Sequence, residues 1–403
     1  MKTKILLFIF LISSYQSSIA QGLTQLTPAA TGLSESKLAN ADNAIQLSIY
    51  RKEIPGAVLG VVSKGKMVYL KAYGNKQTYP DVQPMSVNTV FDLASCTKPL
   101  ATATSVMILI EKGLIGLNDN VASYLPGFSN FGVGKDEKQI KIIHLLTHTS
   151  GLPAYAPVSA LEKRNGLPLP QVLTLYIDSC RREFEPGSNM KYSCLNYITL
   201  QHIVEAVSGK NLRDFCKENI FDVLNMSHTD FNPSDEMKVE CAPTEKQKNG
   251  SVLKGVVHDP LARVMNEGIS GNAGLFSNVN DLGILVAALM NGGEINGKRI
   301  LSPLSVDLMT TLPESLKKFG RTPGWDMLSA YSGCKGDLFS SSTYCHTGYT
   351  GTSIVIDPEN DIAVILLTNR VHPTDKGSVT RLRASVANAV AGSINEKRAL
   401  KSK

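Results

Sequence analysis

Two pairs of strand-like segments, one near each end of the chain, restrict what this sequence can fold into more than any other feature. Ala57-Val58-Leu59-Gly60-Val61-Val62 is an apolar run that meets Lys64-Gly65 and resumes as Met67-Val68-Tyr69-Leu70. Two short apolar runs around a glycine-containing turn predict a β-hairpin. Far along the chain, Thr352-Ser353-Ile354-Val355-Ile356 leads through Asp357-Pro358-Glu359-Asn360 to Ile362-Ala363-Val364-Ile365-Leu366-Leu367, a second pair. The sequence between them is mostly helical. Residues 98–112 carry Leu100, Val106, Met107 and Ile110 at helical spacing before Gly113. Residues 196–207 carry Ile198, Leu200, Ile203 and Val204 before Gly209, and 281–290 end at Asn291-Gly292-Gly293. Strand signals at both ends with helices between them predict one sheet assembled from distant segments, with a mainly helical lobe inserted. No internal repeat is visible. Apart from polar stretches near 129–139 and 156–170 the linkers are short, so residues 21–403 read as one unit with two lobes.

The first twenty residues stand outside that unit. Lys2 and Lys4 precede the apolar run Ile5–Ile12, and Ser18-Ile19-Ala20 places small residues where a signal peptide is cut. The run is too short to span a bilayer, so residues 1–20 are expected to be a signal peptide and the mature protein to be exported, periplasmic or secreted. An uncleaved anchor is the alternative. The net charge is +6, and two of its positive charges fall in that segment. The remainder is too small and too dispersed for a nucleic-acid surface. With 43% hydrophobic and 19% charged residues, the rest has the composition of a globular protein rather than a disordered one.

Seven cysteines cannot all pair internally, and none forms a CxxC, so neither a zinc ribbon nor a dense disulfide framework is indicated. Cys334 and Cys345 could meet across a hairpin, a pairing that sequence alone does not fix. His144 and His148 stand four residues apart, but no Glu follows His144 as in HExxH and no third ligand lies close in sequence. They read as structural histidines. No phosphate loop or dinucleotide fingerprint is present, and no metal or cofactor is expected.

Three clusters carry reactive chemistry. A Ser-x-x-Lys step puts a hydroxyl and an amine on one helix face, where the amine can reach the hydroxyl. The pattern is common: it begins at Ser34, Ser63, Ser95, Ser188, Ser251, Ser315 and Ser332. Only Ser95-Cys96-Thr97-Lys98 opens a long apolar helical run. There Pro99 suits a first turn, and free N–H groups favour developing negative charge. An N-cap serine beside a solvated lysine is the plain alternative. The second cluster is Lys191-Tyr192-Ser193-Cys194-Leu195-Asn196, in which a tyrosine close to an ammonium can serve as general base; otherwise Tyr192 is a loop residue packed on the core. The third is Tyr344-Cys345-His346-Thr347-Gly348-Tyr349-Thr350-Gly351-Thr352, which enters a strand. Gly348 leaves room for substrate backbone along the strand edge, and a nearby N–H can face an oxyanion. A glycine-rich turn with an exposed histidine is the alternative.

The order Ser-x-x-Lys, Tyr-Ser-x, His-Thr-Gly, together with Phe91-Asp92-Leu93-Ala94, His144 to Leu152 and Asn272-Ala273-Gly274-Leu275-Phe276-Ser277, resembles the serine β-lactamase and penicillin-binding-protein superfamily. The likeness is to the class C side, with its D-Ala-D-Ala carboxypeptidases and esterases, and it covers roughly residues 30–392. It implies an α+β, β-lactamase/transpeptidase-like fold: an antiparallel sheet flanked by helices, plus a helical lobe. By position it implies Ser95 as the acylated nucleophile, with Lys98 and Tyr192 sharing the base work. His346 stands where many members have lysine, and the backbone N–H groups of Ser95 and Tyr349 form the oxyanion hole. Cys194, Thr347, Gly348 and Arg370 are the expected substrate contacts, Arg370 as a carboxylate partner.

Two positions depart from that pattern. Cys194 occupies the place of an asparagine that helps hold an acylamino side chain, and cysteine is a weak hydrogen-bond partner. His346 lacks the permanent charge of lysine. Both disfavour efficient β-lactam hydrolysis. The expected activity is therefore a serine hydrolase acting on a small amide, foremost a D-Ala-D-Ala-type peptide derived from peptidoglycan. A carboxylester comes next, then a β-lactam, and last a catalytically silent binding protein of the same fold.

Overall fold

The computed structural model describes residues 22–164 and 166–395, so the expected signal segment lies outside them. The two strand pairs join into one sheet. Strand β1 (Gly56–Ser63) turns through Lys64 and Gly65, both in the left-handed region at φ 52° and 69°, into β2 (Lys66–Gln77). That is the backbone a two-residue hairpin turn requires. The short strands β3 (Gln83–Pro84), β4 (Phe91–Asp92), β5 (Asp230–Phe231), β6 (Leu275–Ser277), β7 (Glu294–Ile295) and β8 (Lys298–Arg299) follow. The chain ends its strands with β9 (Tyr344–Thr347), β10 (Ser353–Asp357) and β11 (Ile362–Thr368). The main sheet is antiparallel in the order β3-β2-β1-β11-β10-β9. Its seam is β1 against β11, from Ala57 opposite Thr368 to Ser63 opposite Ile362.

Both faces of this sheet are covered, so β1 is apolar at every turn of the pleat rather than alternating. Leu59 and Val61 face the terminal helices Glu35–Tyr50 and Thr380–Gly392, packing with Leu38, Ile45, Val386 and Val390. Val58 and Val62 face the larger core formed with Leu282 and Val286 of the helix Val279–Met290. Beyond that helix lies the inserted lobe. Cys194–Ser208 ends at Gly209 in the left-handed conformation that caps helices, φ 71°. The antiparallel sheet, flanking helices and inserted helical lobe agree with the expected α+β architecture.

Residues 94–111 form a less regular helix than the hydrophobic spacing implies. A 3₁₀ turn, Ala94–Cys96, opens it; a wide π turn, Lys98–Ala103, follows; the α-helix proper is Thr104–Glu111. Pro99 has no N–H to donate, and its carbonyl accepts the Thr104 hydroxyl at 2.8 Å, five residues on. Lys98 through Leu109 are buried, so the lobe surrounds this helix, which carries the nucleophile candidate at its first turn.

Candidate active site

Of the seven Ser-x-x-Lys steps, the structure joins the two side chains by a hydrogen bond only at Ser95 and Lys98 among the described residues, Nζ donating to Oγ at 3.0 Å. Ser34 instead caps its helix, accepting from the Lys37 N–H. The lead-in to Ser95 is strained. Ala94 sits at φ 46°, a conformation that costs a non-glycine residue on the order of 1–3 kcal/mol. Its neighbours hold it there. The buried Asp92 carboxylate accepts the Ala94 N–H at 2.9 Å and the His258 N–H at 2.7 Å. The Asp92 carbonyl accepts the Thr350 hydroxyl at 2.7 Å, and that of Leu93 accepts the Thr352 hydroxyl at 3.0 Å. The turn before Ser95 is thus clamped to the loop between β9 and β10.

Lys98 is fully buried, and its ammonium donates to Ser95 Oγ, to the Asn272 carbonyl at 2.9 Å and to Cys194 Sγ at 3.8 Å. Burial works against its charge, but Cys194, Tyr192 and the nearby Asp259 carboxylate hold its pKa above the ordinary value. Lys98 Nζ lies 5.0 Å from the Tyr192 ring centroid; burial raises the phenol, with the Lys98 charge opposing it, and burial likewise raises the Cys194 thiol. At neutral pH the resting site therefore contains an ammonium, a neutral phenol and a neutral thiol.

His346, on β9, has its ring centroid 6.3 Å from that of Tyr192. Its Nδ1 lies 3.0 Å from the Thr347 carbonyl, which can only accept, so the neutral ring carries its proton on Nδ1 and a lone pair on Nε2. His148 has the other tautomer. Its Nδ1 accepts from the Ser193 N–H and the Asn196 amide, both at 3.1 Å, so Nε2 bears the proton. Its ring lies 4.4 Å from Tyr192. Burial, then the charges of Arg321 and Lys98, lower both histidines well below the ordinary range. His144 instead accepts the Lys141 N–H at the start of its short helix. Both histidines of the i, i+4 pair thus have structural partners.

A cavity of about 430 Å³ opens over Ser95, lined among others by Tyr192, Arg321, His346, Tyr349 and Arg370. Thr347 and Gly348 lie on its wall, whereas Cys194 stands behind it against Lys98. Gly348 has a structural use: a Cβ there would meet Thr352 Oγ1 at 2.1 Å and the Leu93 carbonyl at 2.4 Å. The absent side chain leaves room for the nucleophile's own turn. Arg370 is heavily engaged, donating to Asp375 at 2.6 Å, to the Gly377 carbonyl at 3.0 Å and to the Tyr349 carbonyl at 2.9 Å. Cys334 and Cys345 are both buried free thiols, and their contact, with burial, pushes Cys345 far up.

Sequence reasoning missed Arg321. It lies in an aperiodic loop, Arg321-Thr322-Pro323-Gly324-Trp325-Asp326, whose one available signal was an Arg and an Asp flanking the only Trp. The pair is buried at 1% and 3% exposure with an N–O distance of 2.8 Å.

The chain belongs to the β-lactamase family, whose model matches residues 37–388. It is 32% identical over 377 residues to a putative D-alanyl-D-alanine carboxypeptidase of Escherichia coli (strain K12), covering 87% of this chain and 86% of that protein. It is 32% identical over 367 residues to an N-acetylmuramyl-L-alanine amidase of Bacillus subtilis (strain 168), covering 84% and 82%. Among solved structures it is similar to EstCE1, a hydrolase with promiscuous acyltransferase activity: TM-score 0.70, 26% identity, 89% of this chain and 99% of that one. The chain is thus an enzyme of serine-hydrolase type. Among the described residues no helix is long and apolar enough to cross a membrane.

Proposed function

We propose that the protein is an exported hydrolase that cleaves a small amide through an acyl-Ser95 intermediate, with D-Ala-D-Ala-type peptides as leading substrates. The observation that carries this reading is the convergence of three groups: Lys98 hydrogen-bonds Ser95 and lies 5.0 Å from the Tyr192 ring, and Ser95 and Tyr192 both line one cavity. Ser95 Oγ attacks the substrate carbonyl carbon while its proton passes to the Lys98–Tyr192 pair, one of which has first lost a proton. The N–H groups of Ser95 and Tyr349 receive the oxyanion. Tyr192 returns a proton to the leaving nitrogen as the C–N bond breaks. Water then attacks the ester, and Ser95 recovers its proton. His346, neutral, offers the Nε2 lone pair as an acceptor in this step.

The charge of the cavity wall supports an acid-ended peptide: Arg370 and Arg383 lie on it, and although both already donate to Asp375 or to backbone carbonyls, their positive charge favours an anionic end. The names of the two relatives, a putative D-alanyl-D-alanine carboxypeptidase and an N-acetylmuramyl-L-alanine amidase, both describe cleavage of an amide bond. The likeness to EstCE1 and the weak anchoring that Cys194 and His346 give an acylamino β-lactam keep a carboxylester as the second reading. The test is a panel of a D-Ala-D-Ala peptide, a p-nitrophenyl ester and a chromogenic cephalosporin, with the acyl-enzyme detected by mass. The peptide should have the highest kcat/KM. An ester preferred by a wide margin would install the second reading, and a preferred cephalosporin would overturn both.

A further inference from the structure

The structure assigns a further positioning residue to acylation: Arg321, anchored by Asp326, whose guanidinium lies over the Tyr192 ring and supports the phenolate that takes the Ser95 proton. This rests on reading Tyr192 as part of the base. Arg321 Cζ is 5.5 Å from the Tyr192 ring centroid, and Lys98 Nζ is 5.0 Å from it, so two cations address one phenol. The main sheet fixes the arrangement. Asp326 exchanges backbone hydrogen bonds with Cys345 on β9 at 2.9 and 2.8 Å, and its carboxylate then holds Arg321 Nη1.

A buried ion pair is a weak source of stability, because desolvating both charges offsets their attraction. This one is also incomplete: Arg321 Nε and Nη2 are buried without a hydrogen-bond partner among the described residues. Such groups are uncommon in folded proteins and point to a role beyond packing. The charges around Tyr192 indicate the role. Lys98 faces it from the nucleophile helix, Cys194 from its own helix, His148 from the loop before it, His346 from β9, and the Tyr331 ring packs tilted against it with centroids 5.4 Å apart. Tyr197 lies beneath, against His148. Both histidines and the thiol are neutral, and the Asp259 carboxylate acts through Lys98. Lys98 loses its charge whenever it gives up a proton, whereas a guanidinium does not. Arg321 is the cation that remains beside the ring throughout proton transfer.

The experiment is the pH dependence of the second-order labelling rate with a fluorophosphonate, which reads nucleophile activation without a known substrate. Removing a nearby cation makes a base ionise at higher pH, and removing an anion does the reverse. Arg321→Gln should therefore move the ascending limb up by about one pH unit and slow labelling at pH 7 about tenfold. Arg321→Lys should restore most of the rate, and Asp326→Asn should move the limb down. Shifts in opposite directions are not produced by a merely structural role. Equal losses at every pH in Arg321→Gln and Asp326→Asn overturn the inference. If Arg321→Gln does not fold, an unmoved limb in Asp326→Asn overturns it alone. Tyr192→Phe separates the two readings: labelling at the wild-type rate sinks the base assignment, whereas an inactive Tyr192→Phe with unshifted Arg321 and Asp326 variants sinks only the role of Arg321.

Discussion

Replacing Gly348 by alanine tests the clamp between the nucleophile's turn and the strand edge. The new methyl would fall 2.1 Å from Thr352 Oγ1 and 2.4 Å from the Leu93 carbonyl. Thr352 can rotate away, but only by breaking its 3.0 Å hydrogen bond to Leu93; the carbonyl is backbone and cannot yield alone. Overpacking of this kind costs about 1–3 kcal/mol, and the lost hydrogen bond about 0.5–1.5, so a total of about 1.5–4.5 kcal/mol is expected. The strain falls between Ser95 and the Tyr349 N–H, and a displacement of around an ångström there lowers kcat/KM by about 100-fold. Urea unfolding and ester hydrolysis measure the two effects. Gly333→Ala is the control: a Cβ there meets nothing within 4 Å, and a change of less than about 0.5 kcal/mol is expected. A Gly348→Ala protein with wild-type stability and activity would refute the clamp.

Burial holds His144 and His202 at about 4, below the unfolded value of about 6.5. Between those values the unfolded chain binds more protons, so stability is fully present above about pH 6.5 and lost as pH falls towards 4. The urea midpoint should be lower at pH 5 than at pH 7, with a smaller drop in His144→Gln; an equal or higher midpoint at pH 5 contradicts this. The double variant Cys194→Asn with His346→Lys should raise cephalosporin turnover relative to ester turnover, since the lysine adds a charged hydrogen bond worth about 1.5–3 kcal/mol and the asparagine a neutral one worth about 0.5–1.5; an unchanged ratio means that these positions do not set β-lactam selectivity. Prolonged EDTA treatment should leave hydrolysis intact, and a loss reversed by Zn²⁺ would reinstate a metal reading of His144 and His148.

The hairpin at Lys64-Gly65 was legible in the sequence because period, turn chemistry and glycine all act within a dozen residues. So were the helices ending at Gly209 and Asn291. The pairing of β1 with β11 was legible only as two unpartnered hairpins, since nothing local specifies which distant edges meet. Ser95 stood out from the other Ser-x-x-Lys steps by its helical context, but the 3₁₀ and π turns around it did not. They follow from Pro99 and from the Asp92 contacts, which come from distant loops. Arg321 was illegible for the same reason. Its loop has no periodicity, and its relation to Tyr192 exists only once β9 draws Asp326 into place. Gly348 was visible as a residue needing space, but only packing shows that Leu93, rather than substrate, fills it.

The central claim is covalent catalysis at Ser95, and intact-protein and peptide mass measurement after fluorophosphonate treatment tests it most directly. The account predicts one adduct per chain, located on the peptide that contains Ser95, abolished in Ser95→Ala together with all turnover. An adduct on any other serine, or undiminished hydrolysis by Ser95→Ala, would contradict it.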